Sequence, residues 1–163
     1  MQFTDKSLTR DLQRFVIPRL VLIAFFVFSI LGFLDATYLT AEHFLSGPVP
    51  CSIGNCETVL TSRYATIFGI PIALFGAFYY LSVFLGLVFY RETKDVRVLR
   101  VLSYFTILGF LTSLFLIYLQ LFVIHAICIF CMVSALSSIT LFALGMYVLY
   151  LYTRFNAQTS GTV

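Results

Sequence analysis

The longest uncharged stretch of the chain limits most strongly what it can fold into. From Val101 to Thr153, 53 residues contain no Asp, Glu, Lys or Arg. One membrane-crossing helix needs about 20 apolar residues, so this stretch has room for two crossings joined by a tight turn near His125. The chain is 61% hydrophobic and 10% charged, which is more apolar surface than a soluble domain of this length can bury.

Two further uncharged stretches, residues 20–34 and 64–90, supply one helix each. We therefore predict an all-α integral membrane protein with a bundle of four transmembrane helices. Their expected positions are about residues 16–39, 66–90, 101–122 and 128–151. Residues 1–15 alternate basic and apolar side chains, which is typical of a segment lying on the membrane surface. Residues 152–163 are expected to form a flexible cytoplasmic tail.

The positions of Lys and Arg predict the orientation. Nine of the ten precede the first helix, separate the second and third, or follow the fourth, whereas Arg63 alone lies between the first two helices. By the positive-inside rule, both termini are cytoplasmic. The loop at residues 40–63 and the turn near His125 then face the outer side, where disulfides persist.

The four cysteines form two close pairs on this predicted outer side. Cys51 and Cys56 lie in the loop, and Cys128 and Cys131 open the fourth helix as a C-x-x-C motif. Backbone N–H groups at a helix N-terminus stabilise a thiolate on the first cysteine of such a motif. One pair near water and one at membrane depth suit an electron relay by thiol–disulfide exchange. The spacings are also compatible with a zinc site, with two structural disulfides, or with a path for a soft metal ion.

Three polar residues near the helix ends have two interpretations each. Asp35 either handles protons or pairs helices inside the bundle, or it lies at the level of the lipid headgroups. Gln120 either hydrogen-bonds a neighbour or a ligand, or is solvated at the membrane interface. His125 either favours a thiolate on Cys128 or is an interfacial residue without a role. The sequence carries no nucleic-acid-binding signature.

The segment from Cys56 to Gly76, CETVLTSRYATIFGIPIALFG, has Cys51 upstream and the C-x-x-C motif downstream. This set of motifs resembles the vitamin K epoxide reductase family, in particular its bacterial homologues, over about residues 30–150. The resemblance implies a four-helix bundle around a membrane quinone, ubiquinone or menaquinone, as electron acceptor. Quinone-linked thiol oxidases of the DsbB type differ, because their C-x-x-C motif lies in the first outer loop.

The resemblance also implies a role for each cysteine. Cys128 and Cys131 correspond to the redox centre, with Cys131 next to the quinone ring. Cys51 and Cys56 correspond to a shuttle pair: Cys51 forms the mixed disulfide with a thioredoxin-fold partner, and Cys56 exchanges with Cys128. No resident metal is implied.

Two further positions match residues that line the site in the family. Ser62 is expected to hydrogen-bond near the quinone or to hold the loop, and Phe68 is expected to pack beside the ring. Animal members carry a Tyr four residues after the last cysteine, where this chain has Ala135. That difference argues against vitamin K epoxide as the substrate.

Many bacterial members carry a fused thioredoxin-like domain, whereas this sequence ends after the fourth helix, so a separate DsbA-like partner is expected. The resemblance thus implies a quinone-dependent thiol oxidase of the bacterial inner membrane, with its site on the periplasmic side. The alternatives are a reductase of vitamin K epoxide or quinone, working in the opposite functional sense, and a membrane carrier of soft metal ions.

Overall fold

The computed structural model describes residues 18–45 and 55–160. Its helices and strands, in chain order, are α1 Arg19–Leu45, α2 Cys56–Leu60, β1 Thr66–Ile67, β2 Ile70–Pro71, α3 Ile72–Thr93, α4 Val96–Tyr118 and α5 Ile129–Ser160. A π-helical segment, Leu119–Ile124, continues α4 without a break. The two short strands pair antiparallel as a hairpin.

Four helical stretches are long and apolar enough to cross a membrane: Arg19–Leu45, Ile72–Thr93, Val96–Ile124 and Ile129–Phe155. The predicted bundle of four transmembrane helices is therefore confirmed. Large apolar side chains such as Leu34, Phe89 and Leu111 are exposed on the outside of the bundle. Such a surface suits contact with lipid tails, and helices satisfy their backbone hydrogen bonds internally, as the membrane interior requires.

Two helix boundaries differ from those predicted. The first six residues expected in the second span form the hairpin, and α3 begins only after Pro71, whose backbone is extended with φ −64°. At the other end of the chain, α5 continues to Ser160, so residues 152–160 extend the helix instead of forming a flexible tail. Arg154 helps to hold this turn, since its Nε donates a hydrogen bond to Tyr150 Oη at 3.0 Å. The segment 1–15 lies outside the described residues.

A two-residue link makes α3 and α4 antiparallel neighbours. Lys94 has a left-handed backbone with φ +55°, and its N–H donates to Tyr90 O at 2.8 Å, which ends α3. Asp95 then caps α4 by accepting a hydrogen bond from Arg97 N at 2.9 Å. A left-handed residue followed by an Asp cap is the local chemistry that helix ends favour.

The buried residues fall into two clusters. The larger lies among the four long helices and contains apolar side chains that are almost wholly buried, among them Phe25, Val83, Leu87, Leu99, Leu141 and Val148. The smaller lies where α2 packs beside the start of α5, and it contains Cys56 and Cys128. The fold therefore places two of the cysteines in their own cluster, apart from the main core.

Candidate functional site

The C-x-x-C motif forms a close pair of thiols at the start of α5. Cys128 and Cys131 are both free, and the Cys131 thiol donates a hydrogen bond to Cys128 Sγ at 2.9 Å. The Cys131 backbone N–H reaches the same sulfur at 3.4 Å. The Cys131 thiol is the largest cause of the lowered pKa of the Cys128 thiol. The backbone N–H groups of Cys131 and Phe130 lower this pKa further, and burial opposes the shift only in part. The pair is therefore arranged so that the Cys131 thiol stabilises a thiolate on Cys128.

Gln120 fixes the backbone just before this pair. It is buried, and its Oε1 accepts a hydrogen bond from Cys128 N at 3.0 Å, while its backbone O accepts one from Ala126 N at 3.1 Å. The π-helical turn carries Gln120, and such turns occur frequently at functional sites. Of the two interpretations of Gln120, the structure supports hydrogen bonding to a neighbour. His125 is exposed and ends this turn with a left-handed backbone, φ +53°.

The loop after α1 brings a third cysteine to the same place. Asn55 N donates to Ile127 O at 3.1 Å, and α2 starts at the next residue, Cys56. Cys56 is disulfide-bonded and wholly buried, and it shares the smaller cluster with Cys128. The structure therefore gathers Cys56, Cys128 and Cys131 at one end of the bundle. Cys51 lies outside the described residues.

A cavity of about 410 Å³ opens between the long helices next to these cysteines. Its wall includes Cys131 of α5 and apolar side chains from the other three long helices, such as Leu39, Phe75, Phe105 and Leu116. Cavities of about 300–1,000 Å³ with mostly apolar walls and a few polar groups are typical of small-molecule sites. Because Cys131 is part of the wall, a molecule in this cavity would lie next to the C-x-x-C pair.

One side of the cavity is polar. Tyr80 Oη donates to Ser134 O at 2.6 Å and lies 3.2 Å from Ser134 Oγ. Tyr79 Oη and Ser138 Oγ are buried without a hydrogen-bond partner among the described residues. An unsatisfied buried polar group costs about 1–3 kcal/mol, so this side is suited to a ligand that carries polar oxygens.

The structure places the two expected quinone-site residues differently. Ser62 lines the cavity, and its Oγ donates to Val59 O at 2.7 Å, which holds the turn after α2. Phe68 does not line the cavity, because it lies wholly exposed at the tip of the hairpin. Phe68 and Gly69 both have positive φ, 52° and 81°, as a tight two-residue hairpin turn requires. Phe68 is therefore not in the cavity wall, where it would have to lie to pack beside a quinone ring.

The sequence profile of the vitamin K epoxide reductase family matches residues 23–146. The chain belongs to this family. No curated protein sequence matches it. The matched residues run from α1 into α5 and include the gathered cysteines and the cavity wall beside them. As a family member with four membrane-crossing helices, the chain is a multi-pass membrane oxidoreductase, in agreement with the resemblance found in its motifs.

The sequence did not indicate some residues of this site. Sequence reasoning left Gln120 open and did not single out Tyr80, Ser134 or Ser138. A signal was present, because Ser134 and Ser138 follow Cys131 by three and seven residues and therefore share its helix face. Within residues 18–45 and 55–160, no group of three or more His, Cys, Asp or Glu side chains is arranged to hold a metal.

Proposed function

We propose that this chain is a quinone-dependent thiol oxidase that takes electrons from a DsbA-like thioredoxin-fold protein. One observation carries the proposal: Cys131 lies at the wall of a cavity of ligand size, while its partner Cys128 is buried in one cluster with Cys56. A sulfur pair placed in this way has one side toward Cys56 and one toward an apolar site. That is the arrangement that a relay between a protein thiol and a lipid-soluble acceptor needs.

The relay begins at the loop. A thiolate of the reduced partner attacks Cys51 of a Cys51–Cys56 disulfide, and the partner's second thiol displaces Cys51, which leaves an oxidised partner and a reduced loop pair. Cys56 then attacks Cys128 of a Cys128–Cys131 disulfide and releases Cys131 as a thiolate beside the cavity. Cys51 displaces Cys128 from Cys56, so the loop disulfide reforms and the C-x-x-C pair holds two electrons.

The acceptor closes the cycle. The reduced Cys128 and Cys131 transfer two electrons to a quinone, ubiquinone or menaquinone, in the cavity and return to a disulfide. The Gln120 amide and the α5 N-terminus hold Cys128 for the exchange, and the apolar wall excludes water from Cys131. A strongly oxidising partner has a potential near −120 mV, so the acceptor must lie above it, and each ~30 mV of difference supplies ~1.4 kcal/mol for two electrons.

The test mixes purified protein in detergent with a reduced thioredoxin-fold protein, with and without a soluble quinone. We expect partner thiols to disappear only when quinone is present, with one quinone reduced per disulfide formed. Cys131→Ala should abolish the reaction, whereas Thr140→Ala, which removes an exposed hydroxyl bonded within α5, should leave it unchanged. Stoichiometric metal binding without quinone reduction would overturn the proposal and favour a metal carrier.

A further inference from the structure

Asp35 is an acidic residue near this site that the proposed relay does not use. It lies ten residues, about 15 Å along the axis, before the end of α1 and therefore inside the membrane-spanning part of that helix. Its carboxyl group lies next to the Ser134 side chain, and its Oδ2 is buried without a hydrogen-bond partner among the described residues. A carboxyl group inside a membrane is costly and usually functional, so Asp35 requires an explanation beyond packing.

Asp35 is connected to the cavity through one side chain. Ser134 lines the cavity, and its Oγ lies 3.2 Å from Tyr80 Oη, which lines the cavity as well. The Asp35 carboxyl group, the Ser134 hydroxyl and the Tyr80 hydroxyl are thus neighbours in a line that ends at the cavity. Ser134 is also one turn of α5 from Cys131, so this line reaches the same part of the cavity wall as the thiol.

The proton balance of the proposed reaction leaves one proton to be supplied. Reduction of a quinone to a hydroquinone consumes two electrons and two protons. A pair in which the Cys131 thiol donates its hydrogen bond to a Cys128 thiolate supplies both electrons but only one proton. The second proton must therefore come from another donor.

We propose that Asp35 is this second donor and passes its proton through Ser134 Oγ to the quinone. In the balanced step, the Cys128 thiolate and the Cys131 thiol form the disulfide, the thiol proton and the Asp35 proton go to the quinone oxygens, and Asp35 is left as a carboxylate. Asp35 then regains a proton from water. Asp35 acts through Ser134 and does not touch the substrate. Its role is therefore that of a positioning residue in the proton transfer. The inference rests on the proposed function.

The charged and titratable groups around Asp35 are consistent with a neutral carboxylic acid. The facing groups are Tyr80 from α3 and the Cys128 and Cys131 thiols at the start of α5. In the part of the chain that the structure describes, no basic side chain lies against Asp35 to hold it as a carboxylate. An acid without a cation partner in an apolar setting favours its protonated form, as a proton donor requires.

The experiment compares Asp35→Asn with Asp35→Glu and with a matched control, Glu42→Gln, which makes the same acid-to-amide change seven residues later on α1. A positioned acid typically contributes 10²–10⁴-fold, so we expect Asp35→Asn to slow quinone reduction about 100-fold. The Km for quinone should stay unchanged, and Asp35→Glu should keep most of the rate. The residual rate of Asp35→Asn should fall as pH rises, because its proton must come from water.

A readout without turnover separates proton donation from a packing role. The infrared carbonyl stretch of a protonated carboxylic acid should be present in the wild type and in Glu42→Gln and absent in Asp35→Asn. Equal quinone-reduction rates in wild type and Asp35→Asn would overturn the inference alone, and so would an equal loss in Glu42→Gln. A wild-type protein that oxidises no thiols with quinone would overturn the proposed function instead.

Discussion

At the scale of single residues, the thiolate on Cys128 depends mainly on one hydrogen bond. The thiol of Cys131 donates to Cys128 Sγ and is the largest cause of the lowered pKa of Cys128. In the reduced wild type, the ultraviolet absorbance of a thiolate should therefore appear below the ordinary cysteine pKa of about 8.5. Cys131→Ala removes the donor, so the titration of Cys128 should move to higher pH.

The comparison with Cys128→Ser identifies the sulfur that titrates. This variant should lose the low-pH absorbance change altogether, because it lacks the sulfur that the Cys131 thiol and the nearby backbone N–H groups stabilise as a thiolate. A titration of Cys131→Ala that coincides with that of the wild type would show that the helix N-terminus alone sets the thiolate, and would contradict the assigned role of Cys131.

Gln120 shows what sequence reasoning misses at this scale. A polar residue near the predicted end of a helix is normally solvated, and nothing in the neighbouring residues argues otherwise. The structure turns its amide inward because the helix continues as a π-helical turn and leaves the Cys128 N–H to be satisfied. A π-helical turn has no pattern in the sequence that would predict it, whereas the C-x-x-C motif beside it was evident from spacing alone.

At the scale of helices, two glycines of the bundle differ in how much room they leave for a side chain. A Cβ at Gly109 of α4 would overlap the Tyr79 ring and lie 2.8 Å from Ser138 Oγ. Overpacking costs about 1–3 kcal/mol, so Gly109→Ala should lower the thermal unfolding temperature in detergent. Gly76→Ala is the matched control, since a Cβ there would meet only Ala36 Cβ at 3.6 Å.

Gly76→Ala should raise the unfolding temperature slightly, because Ala is favoured over Gly inside a helix by about 0.5–1 kcal/mol. Gly109 and Tyr79 both line the cavity, so Gly109→Ala should also weaken quinone binding. Equal shifts of the unfolding temperature in both variants would contradict the close contact at Gly109.

The helices themselves were predictable because uncharged stretches of membrane length leave few alternatives. Their ends were less so. The hairpin at Thr66–Pro71 replaces the first turn predicted for α3, because Phe68 and Gly69 adopt a tight turn and Pro71 donates no N–H. Local turn geometry of this kind depends on pairing across the hairpin, which a reading of hydrophobic length does not detect.

At the scale of the whole molecule, the sequence predicted the close Cys128–Cys131 pair, and the family match agrees with the motifs. It did not predict the cavity, because the wall is assembled from α1, α3, α4 and α5 through contacts between residues distant in sequence. The line from Asp35 through Ser134 to Tyr80 likewise joins three helices. Such a site becomes visible only when the packing of the bundle is known.

The orientation predicted for the bundle rests on its charges and can be tested with two exposed threonines. Thr61 lies after α2 on the cysteine end, and Thr93 lies at the end of α3 next to the basic connection. Because nine of ten Lys and Arg residues belong to the segments assigned to the cytoplasm, we expect the cysteine end to face outward. In a variant without native cysteines, Thr61→Cys should react with a membrane-impermeant maleimide in intact cells, whereas Thr93→Cys should react only after lysis. The reverse pattern would place the relay on the cytoplasmic side, where thiols are kept reduced, and would contradict a thiol oxidase.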